Sequence, residues 1–195
     1  MLNASRVSLV PPPDFRIPQM WVCSLRELGG RIREARPDLV VSICDPASPQ
    51  EEAQVERALS TYPRTPVMRL RFHDIHDNAE GAQAPGRGHM AGLFAWLARQ
   101  APPATLLVHC HAGVSRSPAI ALAAAAFLAR QSRPADVRLA DELAEAVLNA
   151  APICLPNAAI VALADSMLGF EGQLSSSLSR RLSLRRNDPC GSSIW

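Results

Sequence analysis

The 195-residue chain contains no lysine; all 20 of its basic residues are arginine. It has one tyrosine, and aromatic residues make up only 5% of it. With 18 acidic residues the net charge is +2. That balance implies no strong polyanion partner, and the sparse basic clusters carry no nucleic-acid signature. Long apolar runs are missing too. The best, Pro118 to Ala129, is short and alanine-dominated. A buried helix accounts for it better than a membrane span, which needs about 20 residues. The N-terminus, MLNASRVSLVPPPDF, lacks the apolar stretch of a secretory signal. The five cysteines (Cys23, Cys44, Cys110, Cys154 and Cys190) are odd in number and show no CxxC spacing. They argue against a disulfide framework and a structural zinc site, so a reducing, cytoplasmic setting is expected. Arginine in place of lysine, with abundant Ala and Pro, suggests a GC-rich bacterial coding sequence.

What is present is an ordinary globular composition, 48% hydrophobic and 19% charged, long enough for one domain with a sizeable core. Short apolar runs at 20–23, 39–43, 67–72 and 105–110 read as buried strands. Helical patterns fall near Leu25–Glu34, Gln50–Leu59, His89–Arg99, Ser117–Arg130, Ala135–Asn149 and Asn157–Leu168. Ser48 and Pro49 supply a cap and a first-turn proline for the second of these. Strands alternating with helices predict an α/β domain, one central, mostly parallel sheet with helices on both faces. The polar stretch 73–88 reads as a surface loop. Residues 171–195, rich in Ser and Arg, have little face to bury and are expected to form a flexible tail. Its RRNDPCG run lacks the further ligands a structural zinc site needs.

The stretch HCHAGVSRSP, residues 109–118, carries chemistry. A strand delivers Cys110, a turn follows, and a helix begins near Arg116, with Pro118 in its first turn. Such a loop aims backbone N–H groups at one point, and the positive end of the helix dipole reinforces them. Gly113 permits the positive φ that lets the backbone curl into an anion nest. The cavity suits a phosphate dianion. The same field favours the thiolate of Cys110, the nucleophilic form. Arg116 adds a planar fork for two phosphate oxygens. Ser115 and Ser117 offer hydroxyls to the sulfur, easing its departure from an intermediate. His109 should point to the other side of the strand from Cys110, so it is read as a brace that hydrogen-bonds to backbone.

HCHAGVSRS resembles the HCxxGxxR[ST] signature of cysteine-dependent protein tyrosine phosphatases, and AGVSRSP is most similar to the dual-specificity branch. The resemblance runs from about Leu39 to Leu168 and includes PICLPNAAIVAL at 152–163. It implies a phosphatase domain over residues 1–170 and a cysteinyl-phosphate intermediate. The phosphate would be held by His111, Ala112, Gly113, Val114, Ser115 and Arg116. Cys110, Arg116, Ser117 and an aspartic acid would do the chemistry. RFHDIHDN offers Asp74 and Asp77; the resemblance places the acid at the end of the strand, which favours Asp74. Asn157 matches the branch's asparagine, expected to cap its helix and support the loop. In some relatives a cysteine at the place of Cys44 traps the oxidised nucleophile as a disulfide, a role set here against that of a plain buried strand-end cysteine. His73 and His76 beside two aspartates suggest a metal, but the chemistry needs neither metal nor other cofactor.

The implied partner is a phosphorylated protein or a small phosphomonoester. RNA 5′-phosphates and inositol phosphates stay open, because the motif reads the phosphate and not its carrier. The absence of basic side chains at Ala112 and Val114 weakens a phosphoinositide reading. A phosphate-binding module without turnover, a rhodanese-like sulfurtransferase and an arsenate reductase are the competing readings.

Overall fold

The computed structural model describes residues 16–186. Cys190 and the end of the chain lie outside them. Within the described residues four short strands, β1 (Gln19–Ser24), β2 (Leu39–Cys44), β3 (Val67–Arg71) and β4 (Thr105–Cys110), form one parallel sheet in the order β1-β4-β2-β3. The two central strands read as continuous apolar runs because both faces are covered. Every residue of β2 is buried, and in β4 only Thr105 is not.

Among the described residues seven helices surround the sheet: α1 (Leu28–Ala35), α2 (Pro49–Leu59), α3 (Arg87–Leu97), α4 (Arg116–Arg130), α5 (Val137–Ala150), α6 (Ala158–Leu168) and α7 (Gln173–Arg186). One face is covered by α1 and α2, whose Leu28, Ile32, Val55 and Leu59 pack on Val40 and Leu107. The other carries the larger core, where Leu106, Val108 and Cys110 meet α4 and the helices around it. The expected architecture, a parallel sheet with helices on both faces, is the observed one. Helix α4 is buried along nearly its whole length. Its run of alanines lets it lie against the sheet with α5 and α6 against it in turn, a position larger side chains would not fit.

Two expectations need correction. Ser48 precedes α2, but its hydroxyl makes no capping bond. Glu51, in the first turn, instead reaches back and accepts from the Asp45 N–H at 2.9 Å. The division at residue 170 also fails, because the Ser/Arg-rich stretch continues the same core. Phe170, Leu174 and Leu178 are buried in it, and α7 packs along α5. Buried Asp165 organises the turn, accepting from Gly172 N–H at 2.6 Å and Ser175 N–H at 2.9 Å. That puts a carboxylate at the start of α7, where the helix dipole favours it. Arg180 pairs with Asp141 and Arg181 with Glu145, fixing the helix to α5. A leucine every fourth residue is stripe enough when the neighbour supplies the rest. No helix among the described residues is long and apolar enough to cross a membrane.

Candidate active site

The loops after β2, β3 and β4 open at the carboxyl edge of the sheet. Helices α1 and α2 lie on one face and α3 on the other, so the winding reverses beside the end of β4. Such a switch point is where open α/β sheets hold their ligands. Cys110 ends β4 with its side chain toward the larger core, only 2% exposed. The chain then turns through residues 111–115 into α4. Gly113 has φ 78°, and a β-carbon there would lie 2.7 Å from the Ser24 nitrogen. Only glycine fits both the conformation and the approach to β1.

The turn folds back over the sulfur. The Gly113 N–H donates to Cys110 Sγ at 3.2 Å, and Ser117 Oγ lies 3.1 Å from it. The N–H groups of Ala112, Val114, Ser115 and Arg116 take no protein acceptor among the described residues. Arg116 is 4% exposed, yet charged. Its Nη1 donates to the Phe72 carbonyl at 2.8 Å and to the Asp45 carboxylate. Its Nε is buried with no partner among the described residues.

Ser115 does not reach the sulfur. Its hydroxyl donates to Asp74 Oδ1 at 2.7 Å, and the same oxygen accepts from Asn157 Nδ2 at 2.9 Å. Asn157 touches three segments at once. Its Oδ1 caps α6 by accepting from Ala159 and Ile160 N–H, and its own N–H donates to the Ser115 carbonyl at 3.2 Å. One residue, by side chain and backbone together, thus ties the loop after β3, the turn after β4 and the start of α6. Asp77 is exposed and no hydrogen bond joins it to this cluster. His111, next to the nucleophile, is largely exposed, and its Nδ1 lies 2.7 Å from Glu51 Oε1. The other oxygen of Glu51 holds the Asp45 backbone. Sequence reasoning missed Asp45 and Glu51. An acid after a strand and an acid in a helix's first turn are both commonplace, and only the fold brings them to Arg116 and His111.

His109 is fully buried and braces the edge differently from expectation. Its Nε2 shares a hydrogen bond of 2.8 Å with the Ser42 hydroxyl on β2, a side-chain partner on the neighbouring strand. Burial takes its pKa down from 6.5 to about 4, offset only in part by the Cys110 backbone. Unfolded, the imidazole protonates near pH 6.5; folded, it resists until about pH 4. Stability is therefore complete above 6.5 and falls through that window, by on the order of 3 kcal/mol. Urea midpoints measured from pH 7 to 4 should show the fall, and His109→Gln should flatten it.

Cys44 is not brought to Cys110. Along β2 it shares a side with Ser42, which bonds His109, so it faces the α1–α2 layer while Cys110 faces the other. The disulfide would have to cross the sheet. Burial raises the pKa of Cys44, takes Cys154 up to about 11 and takes Cys23 up to about 12. These three remain thiols at neutral pH and are poor nucleophiles. His73 and His76 join no group of three or more metal-ligating side chains among the described residues.

No family model matches the sequence, and no curated protein does. Solved structures do. The phosphatase domain of Yvh1 from Chaetomium thermophilum superimposes with a TM-score of 0.50 at 17% identity, over 80% of this chain and 94% of that one. DUSP15 matches with a TM-score of 0.43 at 18% identity, over 89% of this chain and 95% of that one. The likeness to the Yvh1 domain is one of fold: the chain has the α/β architecture of a protein tyrosine phosphatase-like domain.

Proposed function

We propose that the chain is a phosphomonoester hydrolase, a protein tyrosine or dual-specificity phosphatase, acting through a cysteinyl-phosphate intermediate. One observation carries the reading. The turn that seats the Cys110 sulfur beneath a backbone N–H and the Ser117 hydroxyl also leaves a run of N–H donors and the Arg116 Nε without acceptors among the described residues. Donors so placed at the start of a helix suit the equatorial oxygens of a transferring phosphoryl group. Asp45 and the Phe72 carbonyl both hold Nη1, which leaves the Nε–Nη2 edge of Arg116 to grip two of those oxygens.

The Cys110 thiolate attacks phosphorus in line. The S–P bond forms as the bond to the ester oxygen breaks, and that oxygen takes a proton from Asp74. Ser115 and Asn157 both hold Oδ1, so Oδ2 is the oxygen that carries the proton. Water then attacks phosphorus and gives a proton back to Asp74, and the S–P bond breaks to release inorganic phosphate. Ser117 donates to the departing sulfur. Asn157 is a positioning residue, holding acid and nucleophile loop in register. No step calls for a metal or another cofactor.

Asp74→Ala should lower kcat toward an aryl phosphate by about 10²–10⁴-fold, the usual contribution of a general acid. Asp77→Ala should change it by less than about threefold, as expected of a surface residue. Steady-state rates across pH 5–8 check both, and equal rates in the two variants would remove Asp74 from the mechanism. A binding module without turnover would take up vanadate and release no phosphate from the same substrate.

A further inference from the structure

Three of the five large apolar side chains exposed among the described residues border the phosphate turn. They are Val114 at 39%, Leu155 at 56% and Ile153 at 64%. Val114 belongs to the turn, and its carbonyl accepts from the Leu155 N–H at 2.9 Å. Ile153 and Leu155 are exposed on either side of Cys154, which packs against the core. Ile153 and Leu155 thus both lie outward beside the turn. The carboxylates about the turn are paired, Asp45 with Arg116 and Glu51 with His111, and Glu52, next in α2, with Arg71.

We infer that Val114, Leu155 and Ile153 form a ledge that recognises a phosphopeptide carrying a large apolar side chain next to its phosphorylated residue. The inference rests on the phosphatase reading and names the substrate that site selects. Continuity with the turn argues for this occupant, since Val114 is itself part of the turn and its carbonyl holds Leu155. The carrier itself covers Val114 and Leu155, and reaching Ile153 takes the side chain of a neighbouring residue. An RNA end or an inositol phosphate carries no large apolar side chain and would leave the ledge wet. Surface apolar groups clustered at a functional rim mark an interaction site, whereas singly scattered ones do not.

The test compares two phosphotyrosine peptides of equal charge with the full chain, one with leucine and one with serine on both sides of the phosphorylated residue. Covering half of a leucine is worth about a factor of ten in kcat/KM. The leucine peptide should be preferred by that much, and Ile153→Ser or Leu155→Ser should bring the preference close to unity. Phenyl phosphate, too short to reach Ile153, reports on the reaction itself. No turnover of it by the wild-type chain would remove the phosphatase reading. Turnover with equal use of the two peptides, or an undiminished preference in both variants, would overturn the ledge alone. So would a loss in those variants confined to dispersed dioctanoyl phosphatidic acid, which would assign the ledge to lipid.

Discussion

Cys110→Ser is expected to abolish phosphate release, by at least about 10⁴-fold, while phosphopeptide binding persists. The two outcomes separate because the residue does two things. Its sulfur forms the bond to phosphorus, and a hydroxyl in its place is too weakly acidic to supply the anion. The ring above depends on Gly113, on the start of α4 and on Arg116, none of which the substitution removes. Serine is smaller than cysteine, and the Gly113 N–H and Ser117 hydroxyl can bond to its oxygen. Single-turnover release of phosphate, set beside calorimetric titration with the same phosphopeptide, reads both. Appreciable turnover by the serine variant would place the nucleophile elsewhere.

Arg116→Lys should weaken vanadate binding and lower kcat/KM by about 10³-fold, although the charge is kept. An ammonium is a point charge on a flexible stem. It can occupy the place of Nη1 between Asp45 and the Phe72 carbonyl, or it can reach an oxygen of the phosphate. It cannot do both, and it has no planar edge for two oxygens at once. The arginine is 4% exposed and its bonds run to two different loops, so the variant's thermal midpoint must be measured beside its rate. A stable variant with near-normal rates would contradict the assigned grip. Asp45→Asn is the companion substitution. It frees Nη1 of its ionic partner while keeping the side chain's size, and it shows how far that tie orients the guanidinium.

The strands and six of the helices could be read from the sequence because burial on both faces writes itself as short apolar runs and as helical periodicity. Pro118 and the positive φ of Gly113 could be read for a similar reason, since each residue type has few conformations to choose from. What escaped depends on distance in the chain. Asp45 meets Arg116 across 71 positions, and Asn157 meets Asp74 across 83. No local pattern encodes such meetings. Ser115 was assigned to the sulfur on proximity in sequence, yet the first turn of α4 gives that bond to Ser117 and directs Ser115 to Asp74. The facing of Cys44 was within reach. Alternation along β2 puts it with Ser42, on the side opposite Cys110, once His109 is taken as their shared neighbour. Helix α7 was hidden by composition, because its serines and arginines mask a stripe of Leu174, Leu178 and Leu182.

The strand order has a consequence for biosynthesis. Among the described residues β1 pairs with β4 alone, more than 80 residues later, and β2 needs β4 on one side and β3 on the other. Until Thr105–Cys110 emerges from the ribosome, the first strand has no ladder to join, and the second offers an open edge to other chains. Non-local pairing of this kind is slow and exposes a nascent chain to aggregation. The segment that closes the gap is also the one that delivers the nucleophile, so a half-made chain has no sheet on which to mount it.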